Sequence, residues 1–205
     1  MPEKNVLLLF AHPAIEQSDA NVELFNAAQS IDGIQCVDLY AEYPQHDIDV
    51  CIEQQRLRES DVIIFQFPLY WYSTPAILKD WMDLVLEHGF AYGKTGDALK
   101  DKTLLLAITA GGPEEAYCGE GFNHYSIREL LRPLEQTANF CRMAFSAPFV
   151  LFGTRTSLDD ERLSAHILHW KRLLSAIKDN QIDLKASSHL PKLNAEVAKL
   201  MELEQ

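Results

Sequence analysis

The sequence predicts an α/β domain: a parallel β-sheet with helices on both faces. Three observations predict it. Apolar runs of strand length alternate with helical stretches five times. Each run is continuously hydrophobic, the mark of a strand buried on both faces. And 205 residues suit one domain, at a size where a single core buries most of its apolar surface. Ligands of such sheets sit beyond the carboxyl ends of the strands, where the winding reverses.

The elements follow in order. Asn5 to Phe10 (NVLLLF) is the first strand, ending in Ala11-His12-Pro13. After a short loop a helix starts at Asp19-Ala20-Asn21 and runs through Val22, Leu24, Phe25 and Ala28, with Gly33 ending it. Ile34 to Tyr40 reads as the second strand, and a polar connection through Pro44 and Asp49 leads to a short helix, Val50 to Glu59. Asp61 to Phe67 is the third strand, rich in β-branched and aromatic residues and closed by Pro68, which cannot donate to a sheet ladder. Leu69-Tyr70-Trp71-Tyr72 follows, and then a helix over 74–87 with Ile77, Leu78, Trp81, Val85 and Leu86 on one face.

Gly89 to Gly93 is a loop that reaches the fourth strand, Thr103 to Thr109, where Ala110-Gly111-Gly112-Pro113 breaks the chain. An ordered excursion to about Tyr125 precedes a helix through Ile127, Leu130, Leu131, Leu134 and Ala138. Phe145 to Phe152 reads as one fifth strand. The last core helix is expected from Ser157, an N-cap with Asp159, Asp160 and Glu161 in its first turn, to about Lys178. The domain is therefore drawn over 1–180. The segment 181–205, with Leu190, Leu193, Val197, Leu200 and Met201 spaced for a short amphipathic helix, is read as a solvated or partner-covered tail.

Composition excludes several classes. A formal charge of −12 argues against nucleic acid and anionic membrane surfaces as partners. No window holds eighteen unbroken apolar residues, and Met1-Pro2-Glu3-Lys4 leads straight into a strand, so neither a membrane span nor a signal peptide is expected. The cysteines (36, 51, 118 and 141) are scattered without a CxxC, which suits reduced thiols in the cytoplasm; no disulfide framework and no metal site is expected.

Three strand ends carry the candidate chemistry. The helix beginning near Ser18 offers unpaired N–H groups to an anion, with Ser18, Asn21 and His12 as further donors. Leu69 to Tyr72 forms an aromatic platform whose backbone N–H groups suit a flat heterocycle. Thr109-Ala110-Gly111-Gly112 lets backbone approach a ligand, since glycine lacks a Cβ. Neither GxGxxG nor GxxxxGK[ST] is present. Taken singly, each loop also reads as something plainer: a helix cap, core packing, a tight turn.

Together these residues resemble a known family. Ala11-His12-Pro13 with Ser18 and Asn21, then Pro68 to Ser73 with Pro75, Leu78-Lys79 and Trp81, then Gly89 to Gly93, then Thr109 to Gly112, are similar in order and spacing to the flavodoxin-like NAD(P)H:quinone oxidoreductases over roughly residues 5 to 178. Within that family, Tyr40 to Asp49, Gln54 and the 61–93 stretch look like the ancillary subunits of bacterial glutathione-regulated potassium-efflux systems.

The resemblance implies a five-stranded sheet in the order 2-1-3-4-5 and a homodimer that binds FMN, or FAD as in the animal enzymes. It implies that the flavin phosphate lies on His12, Ser18, Ala20 and Asn21, and the ring on Pro68, Leu69, Tyr70, Trp71 and Tyr72 and on Thr109, Ala110, Gly111 and Gly112. NAD(P)H would donate electrons and a quinone accept two of them in a ping-pong cycle. Tyr117 falls at the spacing of the family's tyrosine over the flavin. His124 would be its histidine, standing one residue out of register, with Asn123 where the histidine is expected and Pro113 in place of a small residue. The alternative implied function is a catalytically weak regulatory subunit, docked on a potassium-efflux transporter at the inner membrane face. An electron-carrying flavodoxin proper is disfavoured, because the phosphate loop lacks the Gly-rich form.

Overall fold

The computed structural model describes residues 2–155 and 161–202. Five strand positions form one parallel sheet in the order β2-β1-β3-β4-β5, with β6 also paired to β4. Its strands are β1 (Val6–Phe10), β2 (Ile34–Asp38), β3 (Val62–Pro68), β4 (Thr103–Thr109), β5 (Ala144–Phe145) and β6 (Phe149–Leu151). The winding reverses between β1 and β3, which pair with Phe10 opposite Gln66.

Alternate residues of each strand point to opposite faces, so two separate cores form. Leu7, Leu9, Ile63 and Phe65 pack with residues from α3 (Val50–Glu59), α4 (Ala76–Val85) and α6 (Arg132–Phe140). Leu8, Phe10, Ile64 and Leu105 pack with α1 (Asp19–Gln29) and α7 (Arg162–Lys178). The α1–α7 seam is fixed by fully buried Trp170, whose indole N–H donates to the Leu24 carbonyl at 3.0 Å. That seam sets where the first turn of α1 lies.

Several elements depart from the sequence reading. The second strand stops at Asp38, two residues before Tyr40, because the Asp38 carboxylate accepts from the Tyr40 and Ala41 N–H groups and opens a helical turn, α2 (Leu39–Glu42). Local side-chain capping wins over strand propensity there. The fifth strand is two pieces: the Ser146 N–H still donates to the Leu104 carbonyl at 2.9 Å, but Pro148, two residues on, has no N–H with which to continue the ladder. Helix α5 (Ile127–Leu130) precedes α6 and carries a capping box between Ser126 and Glu129. The expected N-cap at Ser157, with Asp159 and Asp160, lies outside the described residues; within them α7 begins at Arg162, after Glu161 at φ +61°.

The residues past 180 are not the solvated or partner-covered tail read from the sequence. A 3-10 turn (Ala186–His189) and helix α8 (Asn194–Glu202) fold back on the domain, with Leu193 and Val197 fully buried in the core that holds α7. The apolar residues at 190, 193 and 197 supply the driving force, and α7 supplies the surface they cover.

Candidate functional site

Pairing places the carboxyl ends of four strands side by side: Phe10 beside Gln66, Pro68 beside Thr109, and Thr109 beside Leu151. They open on a crevice of about 640 Å³ lined from His12, the start of α1, the Pro68–Trp71 loop, Thr109, Gly111, Thr154 and Arg155. Small-molecule sites occupy roughly 300–1,000 Å³.

The first wall is the N-terminus of α1. The Ser18 hydroxyl caps it, accepting from the Asn21 N–H at 3.2 Å. The N–H groups of Asp19 and Ala20 precede the first intrahelical acceptor, so they face outward as an anion site would need. Ala20 is small and buried, against Leu151 and Leu163. Asp19 lines the same crevice with a carboxylate.

His12 is buried behind this turn. Its Nδ1 accepts from the Ala14 N–H at 3.2 Å, so the ring proton sits on Nε2, 3.3 Å from the Tyr70 hydroxyl. Burial pushes the imidazole below its ordinary pKa. His12 thus presents its Nε2–H as a neutral donor.

Asn21 turns inward. Its Nδ2 donates to the Thr109 hydroxyl at 2.9 Å, and its main-chain carbonyl accepts from Gln66 Nε2 at 2.9 Å. Asn21 Oδ1 and Gln66 Oε1 are left buried without a partner among the described residues. Polar atoms so placed mark a site where a further donor is missing.

The aromatic loop is the second wall. Two of the N–H groups read as available to a ligand are engaged: Leu69 donates to the Thr109 carbonyl and Tyr70 to the Pro68 carbonyl, each at 2.8 Å. Trp71 N–H has no partner among the described residues. Trp71 and Tyr72 hold φ of +50° and +62°, left-handed backbone that bulky residues rarely adopt. Trp71 is 93% exposed. A large apolar ring held out in strained backbone is the kind of outlier that points to a ligand or partner.

In the third wall the Ala110 N–H donates to the Leu151 carbonyl and the Gly112 carbonyl accepts from Gly153, each at 2.8 Å. Gly111 N–H has no partner among the described residues. A Cβ at Gly111 would meet only Arg155 Nε at 3.7 Å, an ordinary contact, so the protein's own packing does not demand glycine there. Its use is to leave backbone open to the crevice.

Past this wall the excursion holds Tyr117. Its ring lies 5.3 Å from that of Phe152 and against Gly112. Burial, and then the nearby Tyr72, raise its phenol pKa, so it remains a proton carrier at neutral pH. His124 is not brought in: it is exposed at φ +59°, and no hydrogen bond or ring contact joins its side chain to the crevice among the described residues. Asn123 is the neighbour that reaches across, accepting from the Tyr72 hydroxyl at 2.9 Å.

Sequence reasoning missed Gln66, Thr154 and Arg155. The signal for the last two was present, since the fifth strand's carboxyl end must join the same edge as the other three.

Comparison with known proteins agrees with this geometry. A family model described as flavodoxin-like fold matches residues 4–174. A curated protein of Cronobacter sakazakii, the glutathione-regulated potassium-efflux system ancillary protein KefG, is 45% identical over 170 residues, covering 83% of this chain and 92% of its own. General stress protein 14 of Treponema denticola, solved in complex with FMN, superposes with a TM-score of 0.80 at 35% identity, over 84% of this chain and 99% of that one. An NADPH-quinone reductase of P. pentosaceus gives a TM-score of 0.73 at 28% identity, over 83% and 97%. A chain described as a thermophilic tryptophan halogenase from Streptomycin violaceusniger gives 0.79 at 44% identity, over 82% and 96%; its name differs though its fold is shared.

Proposed function

The chain belongs to the flavodoxin-like fold family, and from that we propose that it is an FMN-dependent NAD(P)H:quinone oxidoreductase. The observation that carries the reading is convergence. A helix N-terminus with outward N–H groups, an exposed Trp71 ring and the unpartnered Gly111 N–H border one crevice. Relatives described as FMN-bound and as an NADPH-quinone reductase support it.

The residues fit that group. The first-turn N–H groups of Asp19 and Ala20, with Ser18 and the Nε2–H of His12, would hold a phosphate. Leu69 to Tyr72 and Thr109 to Gly112 would border a flat ring, with the Trp71 and Gly111 N–H groups as donors. FMN, when bound, supplies acceptance and donation of a hydride. The chain's own part is orientation and exclusion of water, with reduced nicotinamide and quinone taking the same place in turn. Tyr117 would donate its phenol hydrogen bond to the quinone oxygen. We assign the partner role above Tyr72 to Asn123 rather than His124.

We further propose a homodimer. Trp71, which lines the crevice, is 93% exposed, and Phe122 and Tyr125, within two residues of the Asn123 that bonds Tyr72, are 85% and 57% exposed: large rings left to be covered. Work in the cytoplasm, at the inner membrane face when bound to a transporter, belongs to the same reading.

A second reading is an ancillary subunit of a potassium-efflux system with weak catalysis. It is favoured by the name of the Cronobacter relative and by the exposed His124. Titrating purified protein with FMN, then following NAD(P)H oxidation with a quinone, tests the first. Failure to bind FMN would sink it; binding without turnover, with retention on a potassium transporter, would leave the second.

A further inference from the structure

The segment after α7 ends its path against the site. The Leu193 N–H donates to the Pro148 carbonyl at 2.8 Å, and the Asn194 side chain brackets Val150, accepting from its N–H at 3.1 Å and donating to its carbonyl at 2.8 Å. These groups lie along β6 on the side that β4 does not use, so Asn194 stands in for a neighbouring strand. The position of residue 192 is thereby fixed to the sheet.

From that anchor Lys192 reaches Glu114, with which it forms an ion pair, and its ammonium lies 5.5 Å over the Phe152 ring. The ring of Tyr117 packs on the same Phe152. Glu114 opens the 3-10 turn Glu114–Ala116, and Tyr117 is its C-cap, donating its N–H to the Glu114 carbonyl at 2.9 Å. One lysine thus touches both the start of the turn that carries Tyr117 and the ring it leans on. A half-exposed ion pair contributes little to stability, so the contact's consequence is geometric.

We propose that Lys192 is a positioning residue: it holds the Glu114–Tyr117 turn against Phe152 and so fixes the Tyr117 phenol at the Gly112 backbone. The inference rests on the reading of Tyr117 as a group that serves the crevice. It reaches beyond the family pattern, because the family match ends at residue 174.

The full chain labelled with 3-fluorotyrosine tests it by fluorine NMR, with Tyr117→Phe assigning the line. Lys192→Met should shift or broaden the Tyr117 line and leave the other tyrosine lines in place. Glu114→Gln should do the same, and the swap of Lys192→Glu with Glu114→Lys should restore it. Thermal melting of each variant checks folding. In turnover with a quinone, Lys192→Met should lower kcat about tenfold with little change in KM, and add nothing in a Tyr117→Phe background. An unmoved Tyr117 line in both single variants, or losses that multiply in the double variant, would overturn the proposal. If the parent protein turns over no quinone, the proposed function fails while the fluorine line still decides Lys192.

Discussion

The Asn21 amide donates to the Thr109 hydroxyl at 2.9 Å, a buried bond between residues 88 apart that joins the first turn of α1 to the end of β4. It holds two walls of the crevice at a fixed spacing. Thr109→Val should remove the acceptor and strand a buried donor, at a cost of about 1–3 kcal/mol. Thr109→Ser should recover most of that. Urea unfolding midpoints measure both.

Trp71 contributes surface rather than core. Trp71→Gly should leave the thermal midpoint unchanged or slightly raised, because glycine accepts φ of +50° without strain. FMN affinity should fall by about 2- to 10-fold if the ring stacks on the flavin, as aromatic pairs contribute about 0.5–1.5 kcal/mol. Fluorescence titration with FMN reads the effect, and sedimentation shows whether the dimer weakens with it.

His166 makes the fold acid-sensitive. It is stacked on Phe149 at 4.2 Å, and burial, with His169 nearby, pushes its pKa down to about 3 from 6.5. Unfolded, it regains its ordinary value. Between those limits the unfolded chain binds a proton the folded chain does not, so stability is full above the unfolded pKa and falls as pH drops, by up to about 1.4 kcal/mol per unit. His166→Phe should flatten that slope between pH 6 and pH 4, measured by denaturant unfolding at each pH. His12, also lowered by burial, keeps a residual slope of the same sign.

Leu193 lies beyond the family match yet is fully buried. Leu193→Ala should destabilise the whole domain by about 2–5 kcal/mol, as a core truncation does. A loss under about 0.5 kcal/mol, the size of a surface effect, would mean that the last segment docks independently of the core.

The sheet was legible because β1, β3 and β4 are almost wholly apolar runs of five to seven residues, too short for a core helix and bounded by turn residues. The crevice was legible as three odd strand ends that one topology brings together. What escaped reading was decided by single side chains. Asp38 caps a turn and shortens β2, and Pro148, with no N–H to give, divides the fifth strand. In the last segment the apolar spacing for a short helix was legible and α8 forms there; its docking escaped, because that depends on Asn194 meeting the Val150 backbone. That Asn123 accepts from the Tyr72 hydroxyl, beside a His124 in left-handed backbone, is a local detail no spacing reveals.

The paired left-handed residues at 71 and 72 have a consequence for selection. If folding were the sole demand, both positions would drift to glycine, asparagine or aspartate, which adopt that backbone at least cost. A saturation library scored twice, for folded yield and for retained yellow colour, would therefore pull in opposite directions there. The gap between the two rankings would measure how much conformational ease the molecule gives up to keep its rings on display.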